Sequence, residues 1–178
     1  MTWTYNQGIV LSGLSGLYKH TEDYGLFEAA QNLIDSVLDS LELVPEDSGI
    51  LVESCDPTRK CDQDQWMFKG VFFEHLGYFL ADITALDRLQ LSTKKELLRN
   101  YSNFVKANAN GVWEVARAEN GKVGNWWAGP PRDQFKRQVS VETHGSGVAA
   151  VCCAVRLDYL SESLEQLMLV ESTGTQVS

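Results

Sequence analysis

The stretch that decides the fold class lies at residues 26–41 and reads LFEAAQNLIDSVLDSL. Its apolar side chains recur at spacings of three and four residues, which is the repeat of one face of an amphipathic α-helix. A shorter helical face precedes it and is formed by Val10, Leu14, Leu17 and Tyr18. Residues 19–23 make the turn between the two patterns, so the sequence predicts an antiparallel pair of helices. Gly13 and Gly16 are expected to permit close contact between helices.

Two more helices are predicted after a long connection. The third helix carries an apolar face formed by Phe68, Phe72, Leu76, Phe79, Leu80 and Ile83. The fourth helix is expected to begin at the capping box of residues 93–96, TKKE. Its apolar face continues across Gly111 as far as Ala116, although a glycine inside a helix costs about 1 kcal/mol.

A fifth helix and a tail complete the chain. The helix spans residues 140–160, is capped by Ser140, and has an apolar face formed by Val148, Cys152, Val155 and Tyr159. We interpret the neighbouring Cys152 and Cys153 as core residues, since cysteine in an apolar segment behaves as a small hydrophobe. Residues 161–170 are expected to add a short helix, and the small and polar residues 171–178 to be disordered.

These patterns indicate an all-α chain in which helix pairs alternate with long loops. The loops lie at residues 44–64 and 119–138, and residues 50–52 within the first are expected to form a short extended piece. Such an arrangement is typical of helical solenoids and toroids rather than of compact four-helix bundles.

The composition of the 178-residue chain excludes several classes of function. With 44% hydrophobic and 22% charged residues, it is typical of a globular domain. Its formal net charge of −9, without a basic run, argues against nucleic acid as a partner. No apolar stretch approaches the ~18 residues of a membrane-spanning segment, and the first residues lack the pattern of a signal peptide.

Two of the four cysteines flank a short polar loop that a disulfide would close. Cys55 and Cys61 are therefore expected to form a bridge, and two free thiols are the alternative. A zinc site is the weakest interpretation, because the sequence has no Cys-x-x-Cys and its three histidines are scattered. We expect neither a metal nor another cofactor.

Three polar groups are candidates for ligand binding, and each has an alternative structural interpretation. Residues 5–8, YNQG, offer amide side chains to sugar hydroxyls, or they cap a helix. Residues 53–56 and 62–65, ESCD and DQDQ, place carboxylates and amides on a constrained loop, or they form a solvated acidic surface. In the third group, Lys69 on an aromatic helix is expected to reach a pocket; in the structural interpretation, its side chain lies along the surface.

A fourth candidate lies at residues 125–132, NWWAGPPR, in the second long loop. Exposed indoles at Trp126 and Trp127 would stack on the CH-rich face of a pyranose, with Arg132 nearby for polar contact. A nucleophile at Ser146 has little support, since residues 145–147 lack the complete Gly-x-Ser-x-Gly pattern.

Four of these motifs, taken together, resemble glycoside hydrolase family 76. They are TYNQG at 4–8, GILVESC at 49–55, FKG at 68–70 and WWAGP at 126–130, in the order and spacing of the family. The family contains α-1,6-mannanases and related fungal cell-wall mannosidases or transglycosidases. The resemblance covers residues 2–160 and implies part of an (α/α)6 barrel, a six-hairpin toroid, of which this chain supplies about five or six helices as the C-terminal half. Residues 161–178 would be a short helix and a disordered tail.

The resemblance also implies a substrate and a site. The partner would be α-1,6-linked mannan or a mannooligosaccharide, held by Tyr5, Asn6, Gln7, Gln65, Phe68, Lys69, Trp126 and Trp127. Family members cleave α-1,6-mannosidic bonds with retention, through an adjacent Asp-Asp pair placed before the segment seen here. No two aspartates are adjacent in this sequence, so we expect a truncated endo-α-1,6-mannosidase that is inactive alone.

Two alternatives to that function stay open. In the first alternative, the chain is a non-catalytic mannan-binding or scaffold protein. In the second, it belongs to another (α/α) barrel enzyme that acts on a different sugar. The resemblance further implies an extracellular or cell-surface location, with which a Cys55–Cys61 bridge agrees.

Overall fold

The computed structural model describes residues 2–129 and 138–173, and these residues confirm the all-α class. Two short helical segments adjoin the main helices: a 3-10 turn at Gln65–Met67 leads into α3, and a π-helical segment at Gly111–Ala116 extends α4. Within the described ranges, β-structure is limited to two isolated bridges, Arg117 with Val123 and Gly124 with Val139. The α-helices are α1 (Thr4–Thr21), α2 (Tyr24–Leu38), α3 (Phe68–Thr84), α4 (Leu91–Asn110) and α5 (Val141–Thr173).

Helices α1, α3 and α5 form one layer of parallel neighbours. Along α1 and α3 the contacts advance together, from the approach of Gly8 to Phe72 to the hydrogen bond between Ser15 and Asp82. Along α3 and α5 they advance in the same way, from Gly70 against Ser146 to Gly77 against Cys153. The N-terminal ends of these three helices therefore lie at the same end of the molecule.

Helices α2 and α4 run in the opposite direction behind this layer. Asp23 accepts a hydrogen bond from the Gly25 backbone N–H and so begins α2 directly after the turn that ends α1. Helix α4 is antiparallel to α5, and the ion pair between Lys106 and Asp158 joins them. The two connections at the N-terminal end of the parallel layer, residues 39–64 and 117–140, are long. The connections at the opposite end, residues 22–23 and 85–90, are short.

The core lies between the two layers and is centred on α3. All five residues that follow Phe68 in the predicted face of this helix are buried, as the periodicity requires. Aromatic rings link the layers, because Phe79 stacks on Phe27 of α2 and Phe73 stacks on Phe104 of α4. Burial of each such ring contributes about 2–3 kcal/mol.

The predicted contact face of α1 is only half right. Tyr18 is buried and Leu14 packs against the core as predicted, but Val10 and Leu17 are about half exposed. Gly8, Leu11 and Ser15 complete the buried face. The close helix approach also lies elsewhere than expected. A Cβ atom built at Gly13 or Gly16 meets nothing within 4 Å, whereas one built at Gly8 would lie 2.7 Å from Cα of Phe72.

The start of α4 differs from the prediction as well. The helix begins at Leu91, with Gln90 as an N-cap residue that makes no side-chain capping hydrogen bond, so residues 93–96 lie inside its first turns. Leu89 and Leu91 pack against the core and bring the chain into the helix earlier than the capping pattern indicates. The prediction that helical structure continues across Gly111 to Ala116 is confirmed, although in π-helical form.

Helix α5 is one continuous helix of 33 residues, so the separate short helix at 161–170 is wrong, as is disorder at 171–173. Residues 174–178 lie outside the described residues. Ser140 caps the helix as predicted, because its Oγ accepts from the Thr143 backbone N–H at 3.3 Å. Among the described residues, no helix has both the length and the apolar composition needed to cross a bilayer.

The buried face of α5 is not the predicted one. Val148, Val155 and Tyr159 are 47%, 65% and 68% exposed, and Cys152 is exposed too. Small side chains face α3 instead. The prediction that both adjacent cysteines are core residues is right for Cys153 and wrong for Cys152. The physical reason is that α5 carries apolar residues on more than one face, so the same spacing fits two different stripes. The buried stripe is Ser146, Ala150, Cys153, Leu157 and Leu164.

We predict that Gly70→Ala destabilises the protein by about 1–3 kcal/mol, because the new Cβ would lie 2.4 Å from Cα of Ser146 and would separate α3 from α5. Gly13→Ala is the matched control. It places a methyl group in open space within a helix, so it should stabilise the protein by up to about 1 kcal/mol. Urea unfolding followed by circular dichroism measures both changes, and equal effects of the two substitutions would contradict this packing.

Candidate functional site

Three of the motifs found in the sequence meet at the N-terminal end of the parallel helix layer. The start of α1 contacts the start of α3, where the ring centroids of Tyr5 and Phe68 lie 4.3 Å apart. Trp3 also packs against Phe68, with the ring centroids 5.4 Å apart. The third motif, which contains Trp127, joins them through Lys69. The structure thus brings together side chains from α1, α3 and the loop that precedes α5.

Lys69 lies at the centre of this end and is fully buried. Its Nζ lies 2.6 Å from Oδ2 of Asp56 and donates a hydrogen bond to the Asn125 backbone carbonyl at 2.7 Å. The same nitrogen lies 4.6 Å from the centroid of the Trp127 ring, within cation–π distance. The interpretation in which the Lys69 chain lies along the surface is therefore wrong, since the ammonium group contacts Asp56, Asn125 and Trp127 in the interior. A role of Lys69 in substrate binding stays a prediction.

Asp56 is the partner that holds Lys69 and is buried with it. Besides the lysine, its carboxylate accepts hydrogen bonds from the Glu53 backbone N–H at 3.0 Å and from the Asn125 side-chain amide. A buried carboxylate needs such partners, because desolvation of the charge otherwise costs several kcal/mol. This polar centre ties the loop before α3, the helix α3 itself and the loop before α5 into one unit.

Glu53 is a second buried acid beside this centre. Its Oε1 accepts hydrogen bonds from both the backbone N–H and the hydroxyl of Thr4, while its Oε2 is buried without a hydrogen-bond partner. Burial raises the pKa of Glu53 to about 7, and the nearby charge of Asp56 acts in the same direction. The hydrogen bonds from Thr4 and the charge of Lys69 lower the pKa but only partly offset burial. Glu53 therefore changes its charge near neutral pH.

The acidic cluster predicted on the loop divides into two parts. Glu53 and Asp56 are buried, so the solvated-surface interpretation is wrong for them. Asp62, Gln63 and Asp64 are exposed, as that interpretation expects. Gln65 forms a capping box with Asp62, in which each backbone N–H donates to the other side chain, at 3.0 Å and 3.3 Å. A contact between Gln65 and a sugar stays a prediction.

The loop that carries the buried acids is fixed at both of its ends. Cys55 and Cys61 form a disulfide, which confirms the predicted bridge. Both sulfurs and a carboxylate oxygen of Asp56 lie within 4.8 Å of one another, but the disulfide leaves neither sulfur as a thiolate ligand. At the other end, Asn108 of α4 accepts from the Leu51 backbone N–H at 2.8 Å. Residues 50–52 are buried, and they form no strand.

Trp127 is buried, with 1% of its surface exposed, so the expectation of an exposed indole is wrong at this position. Its ring lies against Lys69 and 6.0 Å from Phe73, and its carbonyl oxygen approaches Gly111 so closely that a Cβ there would lie 2.7 Å away. Trp126 is half-buried and retains some accessible surface. Arg132, with the rest of 130–137, lies outside the described residues.

The motif at the start of α1 is arranged for partial exposure. Asn6 is exposed, and Tyr5 is half-buried against Phe68. The Gln7 side-chain amide, with its nitrogen as donor, hydrogen-bonds the backbone carbonyls of Trp3 and Thr4. The interpretation of this motif as an ordinary N-cap is wrong, because the capping position is Trp3 and makes no side-chain capping hydrogen bond.

The mannose-binding set that the resemblance implies omits Thr4, Glu53, Asp56 and Asn125, although all four lie within the quoted motifs and the last three within predicted candidate segments. A usable signal was present for Glu53, because it directly follows the apolar run at residues 50–52 and precedes a bridged cysteine. No comparable pattern identified Asn125, whose role depends on contacts with Asp56 across 69 residues of sequence.

Solved structures of similar shape identify the fold of this protein. The α-1,6-mannanase GH76A of Salegentibacter sp. HEL1_6 matches with a TM-score of 0.68 and 20% identity, over 88% of this chain and 40% of that chain. An inactive variant of that mannanase, with two adjacent aspartates replaced and α-1,6-mannotriose bound, matches over the same shares with 20% identity and a TM-score of 0.67. The fold is thus that of the α/α-toroid glycoside hydrolases.

The chain belongs to glycosyl hydrolase family 76, whose family model matches residues 1–151. Mannan endo-1,6-α-mannosidase DCW1 of Candida albicans is 31% identical over 75 residues, which are 42% of this chain and 17% of that relative. Mannan endo-1,6-α-mannosidase DFG5 of Saccharomyces cerevisiae is 36% identical over 76 residues, or 42% and 16% of the two chains. The chain thus matches less than a fifth of the length of these two curated relatives.

We predict that Lys69→Met destabilises the protein by about 3–5 kcal/mol, because it leaves the buried Asp56 carboxylate without its cation. The matched control is Lys106→Met. It breaks the half-exposed ion pair with Asp158 and should cost at most about 1 kcal/mol. The free energies of unfolding in urea test this difference, and a small loss for Lys69→Met would contradict a buried, charge-paired lysine.

A second prediction concerns the dependence of stability on pH. The pKa of Glu53 is higher in the folded protein than its ordinary value of 4.5, so its protonation stabilises the fold at low pH. That contribution is lost as the pH rises from about 4.5 through about 7. Glu53→Gln imitates the protonated form, so its free energy of unfolding relative to wild type should rise by about 3 kcal/mol over this range. The control is Glu28→Gln on the exposed surface of α2, and a pH-independent difference for Glu53→Gln would contradict the elevated pKa.

Proposed function

We propose that the protein acts on α-1,6-linked mannan and that this chain supplies a mannose-binding part of the substrate cleft. The observation that carries the proposal is the convergence of three family motifs at one end of the parallel helices α1, α3 and α5. Half-buried aromatic rings and an exposed amide occur together there, and this combination suits a pyranose, which has an apolar face and polar edges.

The residues that reach the sugar are those with accessible surface. Asn6 offers an amide that both donates to and accepts from hydroxyl groups, and Tyr5 and Trp126 offer partly exposed rings. Lys69 and Trp127 are buried beneath them and support the cleft from within. Phe68 contacts Tyr5, and Gln7 and Gln65 complete the set proposed for mannose binding.

The chemistry of retaining cleavage limits what this chain contributes. Such cleavage needs a nucleophilic carboxylate and an acid/base carboxyl about 5–5.5 Å apart across the glycosidic bond. The sequence contains no adjacent aspartates. Among the acids of the loop before α3, Glu53 and Asp56 are buried and held by other groups, and the exposed Asp62 accepts a hydrogen bond from the Gln65 backbone N–H. We therefore propose that the endo-1,6-α-mannosidase reaction uses carboxylates outside this chain, which binds substrate but does not cleave it alone.

A location outside the cytosol is part of the same proposal. The Cys55–Cys61 disulfide supports an oxidising compartment, since disulfides persist mainly in secreted and cell-surface proteins. The resemblance to fungal cell-wall mannosidases supports the same location. We propose that the protein works at the cell surface or in the extracellular space.

The test is titration of the 178-residue chain with α-1,6-mannotriose. Tryptophan fluorescence measures binding, and chromatography of the sugar detects any mannose that is released. We expect saturable binding without release of mannose, and no comparable binding of maltotriose. Absence of binding would contradict the proposed function. Release of mannose would show that the chain contains its own reacting carboxylates and would contradict the binding-only role.

A matched pair of variants locates the binding surface. Asn6→Ala removes an exposed amide at the proposed cleft and should weaken mannotriose binding about fivefold, the effect of one hydrogen bond. Asn103→Ala removes an exposed amide from α4, on the other helix layer, and should leave the affinity unchanged.

A further inference from the structure

The N-terminus of α1 is capped by a side chain from a distant part of the sequence. Thr4 is the first residue of the helix, and both its backbone N–H and its hydroxyl donate to Oε1 of Glu53, 49 residues away. The residue in the normal capping position, Trp3, contributes no side-chain hydrogen bond. Helix N-termini have unpaired N–H groups and favour an acceptor or an anion, so Glu53 takes the place of a local cap.

The same residue is also held from the other side. The Glu53 backbone N–H donates to Asp56, whose carboxylate is paired with Lys69 of α3. Phe68, the neighbour of Lys69, packs in turn against Tyr5 of α1. The contacts therefore form a closed ring that leads from α1 through Glu53 and Asp56 to α3 and back to α1.

We propose that Glu53 is a positioning residue, which fixes the first turn of α1 and thereby the orientation of Tyr5 and Asn6 toward the cleft. The part of this proposal that concerns sugar affinity rests on the proposed function. Glu53 is fully buried, so it does not touch substrate itself and acts through Thr4. The charged and titratable groups that face it are Asp56 from its own loop and Lys69 from α3.

Threonine 4 allows a sharper test than removal of the acid. Thr4→Val keeps the shape of the side chain and the backbone N–H but removes the hydroxyl donor, whereas Thr4→Ser retains the donor. The first readout is amide hydrogen exchange by NMR at Gly8 and Ile9, whose amides are exposed when the first turn of α1 opens. The second readout is the affinity for α-1,6-mannotriose. Ile34→Val, a small core change on α2, controls for a general loss of stability.

We expect Thr4→Val to accelerate exchange at Gly8 and Ile9 selectively and to weaken mannotriose binding about fivefold, with Thr4→Ser close to wild type. Glu53→Ala removes the acceptor of both Thr4 hydrogen bonds, so it should accelerate exchange at the same amides more than Thr4→Val does. If Thr4→Val changes exchange and affinity no more than Ile34→Val does, the positioning role is overturned. If the wild-type chain binds no mannotriose, the proposed function fails, and the exchange measurement alone decides whether Glu53 fixes the first turn of α1.

Discussion

The buried ion pair between Asp56 and Lys69 is the interaction on which the rest of the site depends. Two charges removed from water are stable only when hydrogen bonds replace the lost solvation, and here each charge has additional partners. Those partners come from segments that are far apart in the sequence: the loop before α3, α3 itself and residue 125 before α5. The need to satisfy one pair of charges therefore determines where three segments lie. Glu53 extends the arrangement to α1, because its backbone belongs to this centre and its side chain holds Thr4.

The sequence predicts the helices of this protein well and their contact faces poorly. Periodicity at residues 26–38 and 68–83 corresponds to α2 and α3, because most of the apolar residues of these patterns lie in or against the core. Leu41, the last residue of the first pattern, lies beyond α2 and is exposed. In α5 the residues that face α3 are small, such as Ala150, while larger side chains such as Tyr159 point to solvent. A pattern that weights large apolar residues therefore selects the wrong stripe. In α1, the close approach at Gly8 depends on the position of α3, which local sequence does not contain.

The candidate site shows a similar division. The motifs at residues 4–8, 68–70 and 126–130 were sufficient to identify the end of the molecule where polar and aromatic groups meet. They were not sufficient to tell supporting residues from accessible ones. Lysine and tryptophan at the surface are common, and nothing in the local sequence shows that Lys69 and Trp127 are covered by one another. The burial of Asp56 likewise follows from a cation supplied by α3, 13 residues further along the chain.

The unequal lengths of the connections in the helix layers have a consequence for how such a protein can change. Both long connections, described at residues 39–64, 117–129 and 138–140, lie at the end where the motifs meet, while the described connections at the opposite end are short. Loops tolerate insertions and substitutions far better than packed helices do. Descendants of this architecture can therefore acquire new specificity by lengthening one end while the interior stays the same. The disulfide and the ion pair set a limit to that freedom, because they occupy the very loop that would have to vary.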